Sequence, residues 1–438
     1  VSLFAMKFLF NGNTFKTKFF SSLVILMSGT VVSQLIALAF APILTRLYTP
    51  GQMGELGFYM RLTGFISAVA TLRYEAALPL PKQDAHSYLL YRLAYRLSFI
   101  VLAVSAVILI FILKAGIGVP FSWWFFLFTL MGSACIVLIN IGTNWSVRLG
   151  QYGMISRQKI INSSLSNVLK WIFALFQFNT FGLILATFLG YLASSLEFLI
   201  DFKKIQQRFK HYISKKKTRV LMREHKDFPL VSLPHVFIDN AREMLVATFI
   251  FGFYSDVIYG SYNHSYTMLR LPLTLIGVSL GQIFYNQASE LYNQQKAILP
   301  LIQKMLLGLA LVSLVPFGLL FYYGSEIFGF VFGNNWFLAG TYSETMSVWL
   351  MINFILTPIS ALPLILKKQK VFFLMGIGSS IIQVLPFWIL HWMKGSSDLA
   401  FMQSLQIVAY TQALWLLVTI GLLYYFAKQA DLKAGHKA

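Results

Sequence analysis

Six of the charged side chains that stand inside long apolar runs of this sequence define the chemistry open to it. Arg61, Lys170 and Arg270 are cationic, while Asp239, Arg242 and Glu243 form a compact mixed group. A charge in hydrocarbon is costly unless it faces a cavity or a partner, so each is a candidate functional residue. Arginine suits an anionic head group such as a pyrophosphate, because its planar donors fork onto phosphate oxygens and it stays protonated. At 1.5 Å per helical residue, Arg61 is expected about 10 Å and Arg270 about 15 Å from the outer ends of their runs. Neither has an acid within its own helical turns. A purely structural explanation has Arg242 neutralising Asp239 and Glu243, and Lys170 snorkelling or pairing with a neighbouring helix; both readings stay open. Arg73 and Glu75, near the inner end of a run, anchor that end.

The elements that must hold these residues follow from composition. Of 438 residues, 57% are hydrophobic and only 11% are charged, with a mean hydropathy of +0.69. A soluble domain carries about a quarter charged residues, so the solvent here is lipid. Spanning a bilayer takes roughly 20 apolar residues per helix. Twelve such runs are expected, at 19–44, 54–80, 87–113, 121–147, 159–178, 180–202, 228–252, 257–285, 299–323, 341–366, 371–393 and 403–427. Their continuity over about 20 residues excludes barrel strands, which alternate over about 10. The fold class expected is an all-α integral membrane protein, with twelve transmembrane helices in two pseudo-symmetric six-helix lobes.

The net charge of +20 is explained by where the basic residues fall. Of the 35 Lys and Arg, 24 fall in alternate connections on one side, 3 on the other and 8 within the runs. That bias places both termini in the cytoplasm. It also removes nucleic acid as a partner and leaves the phospholipid bilayer. The polar stretch from Lys203 to Lys226 divides the chain into an N-terminal lobe (1–202), a basic cytoplasmic linker (203–227) and a C-terminal lobe (228–438). Within the linker Ile205, Phe209, Tyr212 and Ile213 recur at helical spacing among lysines, as in a helix lying on the membrane surface or in a solvated loop. The run after Lys16 and Lys18 is too long for a signal core and is expected to stay as an anchor. Val1, with Met6 nearby, fits a non-standard start codon or an annotated start slightly too early.

The halves also echo each other. Tyr48, Thr49 and Gly54 recur as Tyr254, Ser255 and Gly260 at a constant offset of 206, at the outer turn after the first helix of each half. Parallel repeats place such a match there. Pro272, Pro358, Pro363 and Pro386 are candidate kinks, and Gly277 with Gly281 reads as a close helix contact. Gln34, Asn140, Asn144, Asn167, Asn353, Gln383 and Gln412 either line a cavity or link helices. No Gly-Lys-Ser or Gly-Lys-Thr phosphate loop, metal-binding His pair or nucleophile elbow occurs, and the single Cys135 permits no internal disulfide. No cofactor or metal is expected beyond a coupling proton or cation, for which Asp239 and Glu243 are the candidate sites.

The residues also resemble a known family. Pro42 to Pro50 (Pro-Ile-Leu-Thr-Arg-Leu-Tyr-Thr-Pro), Gly54, Arg73-Tyr74-Glu75 and Leu78-Pro79-Leu80-Pro81 look like the N-terminal region of bacterial O-antigen and polysaccharide flippases. These belong to the multidrug, oligosaccharidyl-lipid and polysaccharide exporter superfamily. Arg270-Leu271-Pro272-Leu273, Gly281 to Phe284, and Phe332-Gly333 with Trp336, Ala339 and Gly340 carry the resemblance further. It implies a V-shaped, two-lobe transporter of the bacterial inner membrane, with no enzymatic activity. By alternating access it would turn undecaprenyl-pyrophosphate-linked oligosaccharide, such as an O-antigen unit for lipopolysaccharide, to the outer leaflet. It also implies a cationic lumen, here supplied by Arg61, Lys170 and Arg270, and a glycan polymerase and chain-length proteins as partners. The alternatives are an ion-coupled multidrug-type antiporter and a membrane-embedded polymerase or glycosyltransferase; the latter would need catalytic residues in a sizeable outward loop, and the longest expected, about 324–340, carries Glu326 and no basic residue.

Overall fold

The computed structural model describes residues 14–115 and 122–435, and the chain is helical nearly throughout them. Val1, Met6, Lys7 and Lys437 lie outside the described residues. The chain divides into two compact units: residues 1–44 with 59–240, and residues 45–58 with 241–438.

The first unit draws on α1 (Thr14–Leu47), α2 (Pro50–Ala70), α3 (Asp84–Ala115), α4 (Trp123–Leu149), α5 (Tyr152–Leu175), α6 (Asn179–Phe209), the short α7 (Lys215–Glu224) and the start of α8 (Leu233–Phe253). The second draws on the rest of α8, α9 (Asp256–Pro272), α10 (Val278–Asn293), α11 (Leu299–Phe332), α12 (Phe337–Leu356), the one-turn α13 (Leu362–Ile365), α14 (Gln369–Lys394) and α15 (Asp398–Gly435). Each of the twelve expected spans is matched by a helix or, for α9 with α10 and α12 with α13, by a broken pair.

Among the described residues, nine helical stretches are long and apolar enough to cross a membrane. The three expected spans that fall short, α2, α5 and α8, are long enough at 21, 24 and 21 residues but too polar. These are the helices bearing Arg61, Lys170 and the Asp239–Arg242–Glu243 group. A helix wholly in lipid must be apolar all round, whereas one that turns a face to protein or water need not be.

Prolines break the helices where expected at two places. After Pro272 the chain takes a π-helical turn, Leu273–Gly277, which absorbs the lost backbone bond. Pro358 lies in a 3-10 stretch, Thr357–Ala361, and Pro363 follows in α13. Pro386, in contrast, sits inside an unbroken α14. Gly277 and Gly281 make the close contact expected of them: a Cβ at Gly277 would lie 2.9 Å from Thr357 Cγ2, and one at Gly281 3.6 Å from Pro358 Cα.

Two expectations are corrected. Residues 324–340 are not an outward loop. Beyond a non-helical Tyr323, α11 continues to Phe332, and a 3-10 turn, Asn334–Trp336, leads into α12. Glu344 makes this possible by accepting from Ser325 N (2.7 Å) and Ser325 Oγ (2.5 Å), capping the segment after the break. Phe209 does not lie on a membrane surface. It ends α6 as a continuation of the span, is buried, and stacks on Tyr88 with ring centroids 5.6 Å apart. Leu221 of α7 is buried in the same cluster.

The C-terminal end of α2 is anchored by the residues the sequence suggests. Leu72 and Arg73 have φ of 50° and 65°, which turn the chain sharply after Ala70. Glu75, 3% exposed, accepts from Arg73 Nη1 (3.0 Å) and from Thr71 Oγ1. Arg148 donates to Pro81 O (2.6 Å) and Leu78 O (3.3 Å) and pairs with Asp84 (2.9 Å). The Arg-Tyr-Glu and Leu-Pro-Leu-Pro motifs are thus parts of one structural knot.

Candidate functional site

In the second unit, α8 and α9 bring together three of the six candidate charges. Arg270 lies two residues before the proline that ends α9. Its Nη1 donates to Glu243 Oε1 at 3.0 Å and to the Tyr266 hydroxyl at 3.2 Å. The Tyr266 ring lies 5.0 Å from the guanidinium carbon, a cation–π contact from the preceding turn. Arg242 Nη2 approaches the same Glu243 oxygen at 3.6 Å. The acid that Arg270 lacks within its own helical turns therefore comes from α8, where it is shared. Two guanidinium groups meet one carboxylate, and the cluster keeps one net positive charge. Arg242 Nε, moreover, is buried without a hydrogen-bond partner among the described residues. A buried donor left open is expensive, and an anion would satisfy it.

Asp239, grouped with these residues by sequence, belongs to the first unit. It lies 3.4 Å from His235, one turn back along α8, and its side chain is 52% exposed. Arg61 and Lys170 are also in the first unit, half-buried on α2 and α5. Lys159, Ser163, Asn167 and Lys170 follow at spacings of four, four and three, so they share one face of α5. That face meets α1 through polar contacts: Lys159 Nζ donates to Thr30 Oγ1 (2.8 Å) and Ser163 Oγ to Ser33 O (2.6 Å). Gly29 lies against Ser156 in the same seam. Lys159, counted from sequence as a basic residue of an inner connection, is part of this polar face.

Two further residues of the second unit escaped the sequence reading. Glu344 caps the broken α11, as described above. Its partner Ser325 is 19 positions away, so no local spacing announces it. His264 is enclosed by Phe328, Phe332 and Trp336, with its Nε2 buried and unpartnered among the described residues. The potential signal was a lone histidine in an apolar run. Among the described residues no group of His, Cys, Asp and Glu is arranged to hold a metal ion.

Comparison with known proteins adds to this geometry. The family model described as "Polysaccharide biosynthesis protein" matches residues 43–339. No curated protein matches the sequence. Among solved structures, the lipid II flippase MurJ in an inward closed conformation is similar with a TM-score of 0.69 and 13% identity, over 94% of this chain and 90% of that one. An inward-facing multidrug resistance transporter of the MATE family and MOP superfamily is similar with a TM-score of 0.57 and 14% identity, over 91% of this chain and 95% of that one. A point mutant of the MATE transporter VcmN of Vibrio cholerae gives 0.51 and 13%, over 96% and 97%. At such identities the likeness is one of fold, and the fold is that of the MOP-superfamily transporters.

Proposed function

Because the chain belongs to the polysaccharide biosynthesis protein family, we propose that it is a flippase. It moves undecaprenyl-pyrophosphate-linked oligosaccharide from the cytoplasmic to the periplasmic leaflet of the bacterial inner membrane, with both termini in the cytoplasm. The observation that carries this reading is the cluster of Arg242, Glu243 and Arg270. It holds a surplus positive charge and an open buried guanidinium N–H on helices that otherwise traverse hydrocarbon. A pyrophosphate brings the charge and the acceptor oxygens this arrangement lacks. Arg61 and Lys170 are proposed as the first lobe's contribution to the same cationic path, while the polyprenyl tail stays in lipid. Rocking of the two lobes, 1–202 and 228–438 about the 203–227 linker, would expose the sugar outward. A proton or cation acting on Asp239 or Glu243 would supply the driving force, and a glycan polymerase with its chain-length proteins would receive the product.

The MATE-like fold also suits a small-molecule antiporter, but a pocket for organic cations favours acidic residues, and this cluster is positive. The glycan-polymerase alternative loses the outward loop it needed, since that segment is helical. The test is complementation of a flippase-deficient strain. Wild-type chain is expected to clear the lipid-linked glycan that accumulates on the inner leaflet, and Arg270→Ala to fail although inserted at wild-type levels. Full clearance by the double variant Arg61→Ala with Arg270→Ala would reject the cationic path.

A further inference from the structure

In the second unit, far along α11 from the charged cluster, Arg46 Nη2 donates to Phe330 O at 3.0 Å and Trp336 Nε1 donates to Thr45 O at 2.7 Å. Gly333, with φ of 101°, turns the chain out of α11, and a Cβ there would lie 3.3 Å from Arg46 Cγ. Beside these contacts is an open cavity of about 500 Å³, lined by Thr45, Arg46, Phe330, Asn334 and Asn335 over the glycine backbone of the helix end. The expected span 299–323 ends seven residues before Phe330, so on the flippase reading this end of α11 lies beyond the hydrocarbon. Phe330 is 83% exposed there.

We propose that this cavity is a carbohydrate subsite on the periplasmic end of the second lobe, taking one or two pyranose rings. The assignment of this end to the periplasm rests on the flippase reading above. A pyranose has an apolar face of C–H groups and a rim of hydroxyls that both donate and accept. An exposed phenyl ring provides a platform for the face. Two carboxamides, each with donor and acceptor atoms, match the rim. One end of the Arg46 fork is fixed on Phe330 O, and the rest of the guanidinium favours a hydroxyl or a uronate carboxylate. The volume is in the range of small-ligand pockets. No carboxylate lines the cavity, so nothing in it opposes an acidic sugar. The bonds from Arg46 and Trp336 fix the floor in place before the sugar arrives.

The test uses the full chain in lipid nanodiscs and two lipid-free probes, maltotriose and trigalacturonate, observed by saturation-transfer NMR. Saturable transfer to the ring protons of at least one probe is expected. Phe330→Ala should weaken it about tenfold, the worth of one good aromatic contact, and Phe330→Trp should restore it. Asn334→Ala with Asn335→Ala should weaken it as well. Because Phe330 is exposed, its replacement leaves the fold intact, which a thermal melt checks. The proposal is overturned if neither probe binds saturably or if binding ignores the Phe330 and asparagine variants. Failure here is distinct from failure of the flippase reading. In the first case wild-type chain still clears the lipid-linked glycan, and in the second it does not.

Discussion

Gly54 and Gly260, 206 positions apart in the two halves of the chain, lie backbone to backbone: a Cβ on Gly54 would stand 3.0 Å from the amide nitrogen of Gly260. One on Gly260 would lie 2.9 Å from the amide nitrogen of Gly54, with Pro50 O closer still. The helices that carry them start at Pro50 and Asp256, again 206 apart. The Tyr, hydroxyl and Gly match thus falls where two helices of the second unit meet backbone to backbone.

This contact predicts a sharp position dependence for adding a methyl group. Gly260→Ala puts its Cβ against backbone rather than a flexible side chain, and is expected to cost about 1–3 kcal/mol, as overpacking does. Gly64→Ala, ten residues along α2 from Gly54, meets nothing within 4 Å. It should be neutral, or stabilising by up to about 1 kcal/mol through helix propensity. Thermal unfolding of the three proteins in detergent separates these outcomes, and equal melting temperatures would show that the glycine contact is dispensable.

The shared carboxylate predicts strong non-additivity between Arg270 and Glu243. Removing either partner leaves a charge at hydrocarbon depth without its counterpart, which typically costs about 3–5 kcal/mol for a fully buried pair and less here, where both side chains keep some exposure. Arg270→Met with Glu243→Gln removes both charges and should be less destabilised than the sum of the single variants, by about 0.5–3 kcal/mol. A cycle of four unfolding measurements reads this coupling. Additive losses would mean that the 3.0 Å bond contributes little. Stability can then be separated from transport, since the double variant should insert well and still fail to clear lipid-linked glycan.

Glu344 is predicted to hold the bent end of α11. Its loss as Glu344→Gln weakens two hydrogen bonds to Ser325 and should cost about 0.5–2 kcal/mol, the worth of a helix cap. The local signature is faster amide hydrogen exchange over residues 324–332 than over the straight part of the helix. Glu326→Gln, whose exposed side chain accepts from the Ser325 hydroxyl but not from the Ser325 amide, should leave that exchange unchanged. Equal protection in all three proteins would remove Glu344 from the cap.

Much of this architecture was legible because apolar length and loop charge are local quantities. Twelve runs, the prolines that break α9 and the Thr357–Ala361 stretch, and the repeat can each be read from neighbouring residues. Partners brought together by tertiary packing cannot. Arg270 lacks an acid at helical spacing, and nothing in α9 says that α8 supplies one 27 positions away. The Pro42–Pro50 and Phe332–Ala339 segments read separately as family motifs. Only folding shows that Trp336 donates to Thr45 O and that Arg46 reaches Phe330 O. The stretch 324–340 reads as a loop because its glycines and asparagines signal turns, while the carboxylate that keeps Ser325 helical lies in the following helix.

The two acids of α8 are predicted to have different roles in coupling. Glu243 already serves two guanidinium groups, and protonating it would cost both contacts. Asp239 has a lighter commitment, to His235 at 3.4 Å, and is half exposed. It is therefore the group with room to exchange a proton or cation during transport. In proteoliposomes loaded with lipid-linked glycan, an imposed pH gradient should accelerate flipping by wild-type chain. It should leave the rate of Asp239→Asn unchanged, with gradient-independent turnover retained. His235→Ala should keep the gradient response, because the carboxylate survives without its neighbour. If Asp239→Asn responds to the gradient as wild type does, coupling does not run through this residue. Loss of all turnover on Asp239→Asn, with or without a gradient, would instead give Asp239 a part in binding, and the assignment of coupling to it would be withdrawn.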